Sequence, residues 1–168
     1  MKNSNEKSSA LICGSFDPIT KGHLDIIKRA SALFDKIHLV AFINPSKKYL
    51  FCKEEKLLFM KTACQDLENV VCDFDEGMVC DYLKRHNIDC IVKGIRNEDD
   101  LKYEKEMAEY NKKHSGRDTL FLLASDDLSC CSSTLVREAL DMELSVDDLL
   151  PLSIASLVKE CYEKNKRQ

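Results

Sequence analysis

The chain has 168 residues, of which 44% are hydrophobic and 32% charged, and its formal net charge at pH 7 is −4. This balance is typical of a folded globular protein and excludes an intrinsically disordered chain. The negative net charge excludes a general nucleic-acid-coating surface, which needs an excess of Lys and Arg on one face, so a phosphate ligand has to be bound by a local basic site.

The length predicts one domain over residues 1–168, with residues 1–9 flexible. The longest apolar runs, such as residues 37–43, are much shorter than the roughly 20 residues that a membrane helix needs. The polar N-terminal segment lacks the apolar stretch of a secretory signal. Nine cysteines without a CxxC pair indicate a reducing compartment and no protein-held metal. We therefore expect a cytoplasmic protein without a membrane partner.

Apolar runs alternate with amphipathic segments along the whole chain. The pattern predicts strands over residues 10–13, 37–43, 70–74, 91–93 and 119–124. It predicts helices over residues 23–34, 53–67, 78–86, 99–113, 132–141 and 154–164. This order predicts an α/β fold, a single Rossmann-like domain with a five-stranded parallel sheet and helices on both faces. Ligands bind such sheets at the carboxyl ends of the strands, near a topological switch point.

The first strand and the first helix are joined by the segment GSFDPITKGH, residues 14–23. Gly14 allows a ligand to approach the backbone closely. His23 is predicted at a helix N-terminus, where free amides and partial positive charge favour a polyphosphate, and an imidazole there can stabilise charge on a transferring phosphoryl group. A turn followed by a helix-capping histidine explains the same residues, and the spacing alone leaves both interpretations open.

Basic and hydroxyl residues follow three other predicted strands. Lys47 comes after the second strand, where its ammonium could contact two phosphates. A solvated Ser-Lys-Lys turn is the alternative, and it is the interpretation we keep for Lys48. At the end of the fourth strand, Gly94 allows backbone contact and Arg96 offers a forked donor to phosphate oxygens. The hydroxyls of residues 132–134 precede a predicted helix, where amides can be capped or can hold phosphates.

These motifs together resemble the bacterial phosphopantetheine adenylyltransferases of the nucleotidylyltransferase superfamily. Residues 14–30 are similar to the first family signature, which includes the T/HxGH element. Residues 45–48 resemble the PSKK loop of the family, and residues 132–138 resemble its ISSSLVKE element. The resemblance covers roughly residues 10 to 160.

The resemblance implies transfer of AMP from ATP to 4′-phosphopantetheine in coenzyme A biosynthesis, with Mg²⁺ accompanying ATP and pyrophosphate released. It implies catalytic roles for His23, Lys47 and Arg96. The implied ATP contacts are Ser15, Phe16, His23, Gly94, Ile95, Arg96, Glu104, Leu128, Ser129, Cys130, Cys131, Ser132, Ser133 and Thr134. The implied acceptor contacts are Ser15, Lys47, Val79 and Lys93. A homohexamer and coenzyme A as a feedback ligand are also implied.

Several residues depart from the family pattern. Lys93 replaces an Arg that contacts the acceptor phosphate in the family, and lysine keeps the charge but lacks the planar fork. Leu128, Cys130 and Cys131 replace an aromatic residue, Phe and Ile, and Ala124 replaces a Pro. Two alternatives therefore stay open. One is a sibling transferase that uses another acceptor, such as nicotinate mononucleotide, or that transfers CMP to an alcohol phosphate; the other is a non-catalytic nucleotide-binding protein.

Overall fold

The computed structural model describes residues 8–44 and 46–167. Residues 1–7, which make up most of the segment expected to be flexible, lie outside the described residues. So does Pro45 of the PSKK-like loop. Ser9, which the sequence analysis includes in the flexible segment, is the first residue of a strand.

The described residues form five β-strands and six α-helices. The strands are β1 (Ser9–Gly14), β2 (Lys36–Phe42), β3 (Val70–Asp75), β4 (Cys90–Ile95) and β5 (Asp118–Leu123). The helices are α1 (Lys21–Ser31), α2 (Lys53–Ala63), α3 (Val79–Arg85), α4 (Glu98–Ser115), α5 (Ser133–Asp141) and α6 (Leu152–Lys166). Every predicted element is present. The largest difference is in α2, which ends at Ala63 rather than at residue 67.

The five strands form one parallel sheet in the order β3-β2-β1-β4-β5, which confirms the predicted α/β architecture. Strand β1 pairs with β2 on one side, where Ala10 lies opposite Ile37, and with β4 on the other, where Ala10 lies opposite Cys90. The strand order reverses between β1 and β4. The topological switch point is therefore at the carboxyl ends of these two strands.

Side chains of β1 supply the core on both faces of the sheet, because successive residues of a strand point to opposite faces. Ala10 and Ile12 belong to the larger core cluster, which includes buried side chains of α1, α2, α5 and α6. Leu11 and Cys13 belong to a smaller cluster with buried side chains of α3. This two-sided burial explains why the first strand is a continuous apolar run in the sequence.

Helix α4 is the longest of the described helices, and most of its surface is solvated. The Asn97 side chain caps its start by accepting the Asp100 N–H at 2.8 Å. Gly116 follows its end with a φ of 75°, a left-handed conformation that favours glycine. Of its 18 residues, Asn111 is buried. None of the helices in the described ranges is long and apolar enough to cross a membrane.

Candidate active site

A cavity of about 590 Å³ lies at the switch point, within the range of roughly 300–1,000 Å³ that is usual for small-molecule sites. Most of the predicted site residues line it: Ser15, Phe16, His23, Lys47, Lys93, Gly94, Arg96, Glu104, Leu128, Cys131, Ser132, Ser133 and Thr134. Residues outside the predicted ATP and acceptor contacts complete the lining: Ile12, Cys13, Gly14, Asp17, Gly22, Ile26, Lys48, Tyr49, Val92, Asp100, Ala124 and Arg137. The structure thus brings together segments that are far apart in the sequence.

His23 lies in the first turn of α1 and takes part in its cap. The Thr20 N–H donates to Nδ1 of His23 at 3.0 Å, and the Thr20 hydroxyl accepts the His23 N–H at 3.4 Å. Because a backbone N–H only donates, Nδ1 is the acceptor, and the neutral ring carries its proton on Nε2. Burial, and after it the positive charges of Arg96 and Lys93, lowers the pKa of His23 to about 4. At neutral pH the ring is therefore an uncharged Nε2–H donor on the cavity wall.

The N-termini of α1 and α5 meet at the cavity. A Cβ on Gly22 would lie only 3.2 Å from the Cys131 carbonyl oxygen, so a glycine permits this close approach. The Thr20 hydroxyl donates to the same carbonyl at 3.1 Å, and the Ser133 hydroxyl donates to the Pro18 carbonyl at 2.8 Å. Two helix N-termini on one cavity favour a ligand with several negative charges.

Cationic side chains dominate the charge of the cavity lining: Lys47, Lys48, Lys93, Arg96 and Arg137. Arg96 is held by Asp100, whose two carboxylate oxygens accept from its Nε at 2.8 Å and its Nη2 at 3.0 Å. This hydrogen-bonded pair raises the pKa of Arg96 and lowers the pKa of Asp100. The guanidinium is thus oriented before any ligand binds.

Lys93 connects β4 to the neighbouring strand and to helix α4. Its Nζ donates to the Cys13 carbonyl at 3.0 Å and to Glu104 Oε1 at 3.3 Å. Burial opposes the charged form, but the Cys13 side chain and the Glu104 carboxylate more than offset it, so the pKa of Lys93 is raised. Lys93, a predicted acceptor contact, thus forms an ion pair with Glu104, a predicted ATP contact.

A family model described as "Cytidylyltransferase-like" matches residues 11–139 of the chain. The "Phosphopantetheine adenylyltransferase" of Caldanaerobacter subterraneus subsp. tengcongensis is 37% identical over 157 residues, covering 93% of this chain and 98% of the relative. That of Actinobacillus pleuropneumoniae serotype 3 is 40% identical over 153 residues, covering 90% of this chain and 97% of the relative. The chain belongs to the phosphopantetheine adenylyltransferase family. The resemblance read from the sequence motifs is therefore confirmed.

Four of the contacts that the family resemblance implies do not lie on the cavity lining of this phosphopantetheine adenylyltransferase homologue. Ile95 is buried in β4 at 5% exposure. Val79 begins α3 and packs against the smaller core cluster. Ser129 and Cys130 are exposed in the turn before α5, where the Ser129 hydroxyl donates to the Asp126 carbonyl at 2.8 Å. Their ligand contacts stay predictions.

The sequence motifs do not predict several of the residues that line the cavity of this family member. Asp17 lies inside the first signature, and Arg137 lies three residues after Thr134 in the ISSSLVKE-like element, so their place in those motifs was an available signal. Lys48 lines the cavity, whereas the sequence analysis keeps it as part of a solvated turn. Tyr49 follows directly and has no motif of its own. Only the fold of the loop shows that it faces the site.

Proposed function

We propose that the chain transfers AMP from ATP to 4′-phosphopantetheine, with dephospho-coenzyme A and pyrophosphate as the products. The main support for this proposal is that one cavity at the switch point is lined by His23, Lys47 and Arg96, beside two helix N-termini. The chain is also 37% and 40% identical to two curated enzymes that carry this name, over nearly their full lengths.

In the proposed reaction the chain supplies position and charge rather than a nucleophile, because the acceptor already carries an ionised phosphate. An acceptor phosphate oxygen attacks the α-phosphorus of ATP in line, and the bond to pyrophosphate breaks with its electron pair on the leaving group. The Nε2–H of His23 donates to the phosphoryl oxygens as their charge grows. Lys47 bridges the acceptor phosphate and the α-phosphate, and the pre-oriented Arg96 binds phosphate oxygens.

We propose that Mg²⁺ enters the site with ATP. Each carboxylate of the cavity lining is paired with a cationic side chain: Asp17 with Lys56, Asp100 with Arg96, and Glu104 with Lys93. In residues 8–44 and 46–167, no group of three or more His, Cys, Asp or Glu side chains is placed to hold a metal ion. This donor set fits a Mg²⁺ that would be held by phosphate oxygens of ATP and would neutralise part of their charge.

Three further properties are proposed on the family resemblance: a homohexamer, feedback by coenzyme A, and a cytoplasmic location. Assembly is favoured by apolar side chains that α4 and the edge strand β5 expose, among them Tyr103, Met107, Leu120 and Leu123. The cytoplasmic location is favoured by nine cysteines that all remain free thiols. Light scattering of the purified protein, with and without coenzyme A, tests the oligomeric state.

The proposed function is tested with a panel of acceptors. Purified protein receives Mg-ATP with 4′-phosphopantetheine or nicotinate mononucleotide, or CTP with an alcohol phosphate, and pyrophosphate release and product mass are measured. We expect dephospho-coenzyme A from the first mixture and no turnover in the others. Faster turnover of another acceptor would contradict the proposed acceptor. The test matters because Lys93 replaces the Arg that contacts the acceptor phosphate in the family. ATP binding without pyrophosphate release would indicate a nucleotide-binding protein instead.

A further inference from the structure

Two charged side chains, Asp17 and Lys56, are buried beside the loop that carries Lys47. Asp17 is 2% exposed and Lys56 is 3% exposed, and the Lys56 Nζ lies 3.4 Å from Asp17 Oδ1. Burial lowers the pKa of Lys56, and the Asp17 carboxylate offsets part of that effect. Apolar side chains of similar volume often stabilise a fold as well as a buried ion pair does. Stability alone is therefore a weak reason for this pair.

The Asp17 carboxylate binds the end of the loop that joins β2 to α2 and carries Lys47. Its Oδ2 accepts the Leu50 N–H at 3.0 Å, and its Oδ1 accepts the Phe51 N–H at 3.1 Å. Arg137 of α5 reaches the same residue, donating from Nη1 to the Asp17 carbonyl at 2.7 Å. Asp17 thereby links the loop after β2 to the β1–α1 segment and to α5. The N-termini of α1 and α5 are the two that lie at the cavity.

Lys56 also contacts the middle of the loop through an aromatic ring. Its Nζ lies 3.5 Å from the ring centroid of Tyr49, a cation–π contact. The Tyr49 hydroxyl accepts the Asn44 N–H at 2.6 Å and donates to the Asn44 carbonyl at 3.4 Å. The same carbonyl accepts the Lys47 N–H at 2.9 Å. A continuous set of contacts thus runs from Lys56 through Tyr49 and Asn44 to Lys47.

We propose that Lys56 is a positioning residue for adenylyl transfer, which acts on Lys47 through Tyr49 and Asp17. The inference rests on the proposed function, in which the Lys47 ammonium has to lie between two phosphates. Asp17 and Tyr49 line the cavity, whereas Lys56 is not among the lining residues and contacts both of them through its ammonium. A misplacement of about 1 Å in such a group can lower the rate by roughly 10²-fold.

A kinetic double-mutant cycle between Lys47→Ala and Lys56→Met tests the proposal. Alone, Lys56→Met lowers kcat by about 10-fold or more, while the KM for ATP changes by less than about threefold. In the Lys47→Ala background, Lys56→Met adds less than about a twofold loss, because the group that it positions is already absent. Lys56→Arg retains kcat within about threefold, since a guanidinium can keep both the pair with Asp17 and the cation–π contact with Tyr49. Lys53→Met, an exposed lysine on the same helix, is the matched control and keeps wild-type kinetics.

The outcomes separate positioning from a purely structural role. Losses that multiply in the double variant, or an unchanged kcat in folded Lys56→Met, overturn the proposal. Hydrogen exchange at the Leu50 and Phe51 amides should accelerate in Lys56→Met and not in Lys53→Met. Equal exchange rates in the two variants also overturn the proposal. If Lys56→Met does not fold, Tyr49→Phe replaces it in the cycle, because it keeps the ring and removes the link to Asn44. Absence of product from wild-type and Lys53→Met protein would refute the proposed function itself.

Discussion

At the scale of single residues, His23 both caps a helix and presents a donor to the cavity. Its Nδ1 accepts the Thr20 N–H, so the proton of the neutral ring lies on Nε2. Burial keeps the ring neutral at physiological pH, with a pKa of about 4. A neutral donor binds phosphoryl oxygens without adding a charge that titrates with pH. The two interpretations that the sequence leaves open, cap and functional residue, are thus compatible in the structure.

Substitution of Lys93 should affect the two proposed substrates differently. Lys93→Met should raise the KM for 4′-phosphopantetheine by about 10-fold or more, because it removes the ammonium that the family resemblance places at the acceptor phosphate. Lys93→Arg keeps the positive charge and should stay within about threefold of wild type. Initial rates measured while each substrate is varied in turn provide the test. Equal increases in the KM for ATP and for the acceptor would contradict the assignment.

The positions of the main site residues could be predicted from the sequence, whereas their partners could not. Lys93 ends the fourth predicted strand, and His23, Lys47 and Arg96 lie in segments that follow predicted strands. The carboxyl ends of these strands meet at one edge of a parallel sheet. The bond from Lys93 to Glu104 joins β4 to α4, and periodicity does not show where a long flexible side chain points. The role proposed for Lys56 could not be predicted either, because nothing in the charged helical segment around it distinguishes this lysine from a solvated one.

At the scale of elements, β4 and α1 pack closely where Gly94 meets Ile26. A Cβ on Gly94 would lie 2.8 Å from Ile26 Cγ1 and 3.2 Å from its Cδ1. Gly94→Ala should therefore lower the free energy of unfolding by about 1–3 kcal/mol, as overpacked cores do. Urea unfolding measures it. In an Ile26→Ala background the same substitution should be much less destabilising, and an equal loss in both backgrounds would contradict the packing account.

Element types were predictable because the apolar periodicity is clear, but some boundaries depend on local contacts. Helix α2 ends at Ala63, before the turn in which Leu67 N–H donates to the Cys64 carbonyl at 2.9 Å. Helix α1 begins at Lys21 because the Thr20 and His23 side chains form its capping box. The short 3₁₀ helix Asp126–Leu128 has too few residues to show any periodicity.

At the scale of the whole molecule, the parallel sheet follows from the alternation of strands and helices, but the strand order does not. A βαβ pattern gives right-handed crossovers without stating on which side of β1 the fourth strand pairs. The observed order places β1 beside β4. This adjacency brings the His23 segment and the Arg96 segment to one cavity, so the site is a property of the topology.

The stability of the fold should fall in mild acid. His38 is 7% exposed, and burial, followed by the charges of Lys36 and His86, lowers its pKa to about 4. His23 has a similar pKa, whereas both side chains titrate near about 6.5 when unfolded. The unfolded chain therefore binds protons first, so the free energy of unfolding is highest above about pH 6.5 and falls as the pH decreases toward 4.

Urea unfolding at pH 7.5, 6 and 5 measures this dependence. His38→Gln removes one of the two titrating groups, so this variant should lose less stability than wild type between pH 7.5 and 5. An equal loss in the variant, or no loss in wild type, would contradict the assigned pKa shift of His38.

The central claim is that this cavity transfers AMP to 4′-phosphopantetheine with His23 as a donor to the transferring phosphoryl group. The most direct measurement compares dephospho-coenzyme A formation by wild-type and His23→Ala protein, with ATP affinity measured by calorimetry on the same samples. We expect wild-type product formation, a loss of about 10²-fold or more in kcat for the variant, and an ATP dissociation constant within a few-fold of wild type. No loss in the variant, or equal losses in kcat and ATP affinity, would contradict the claim.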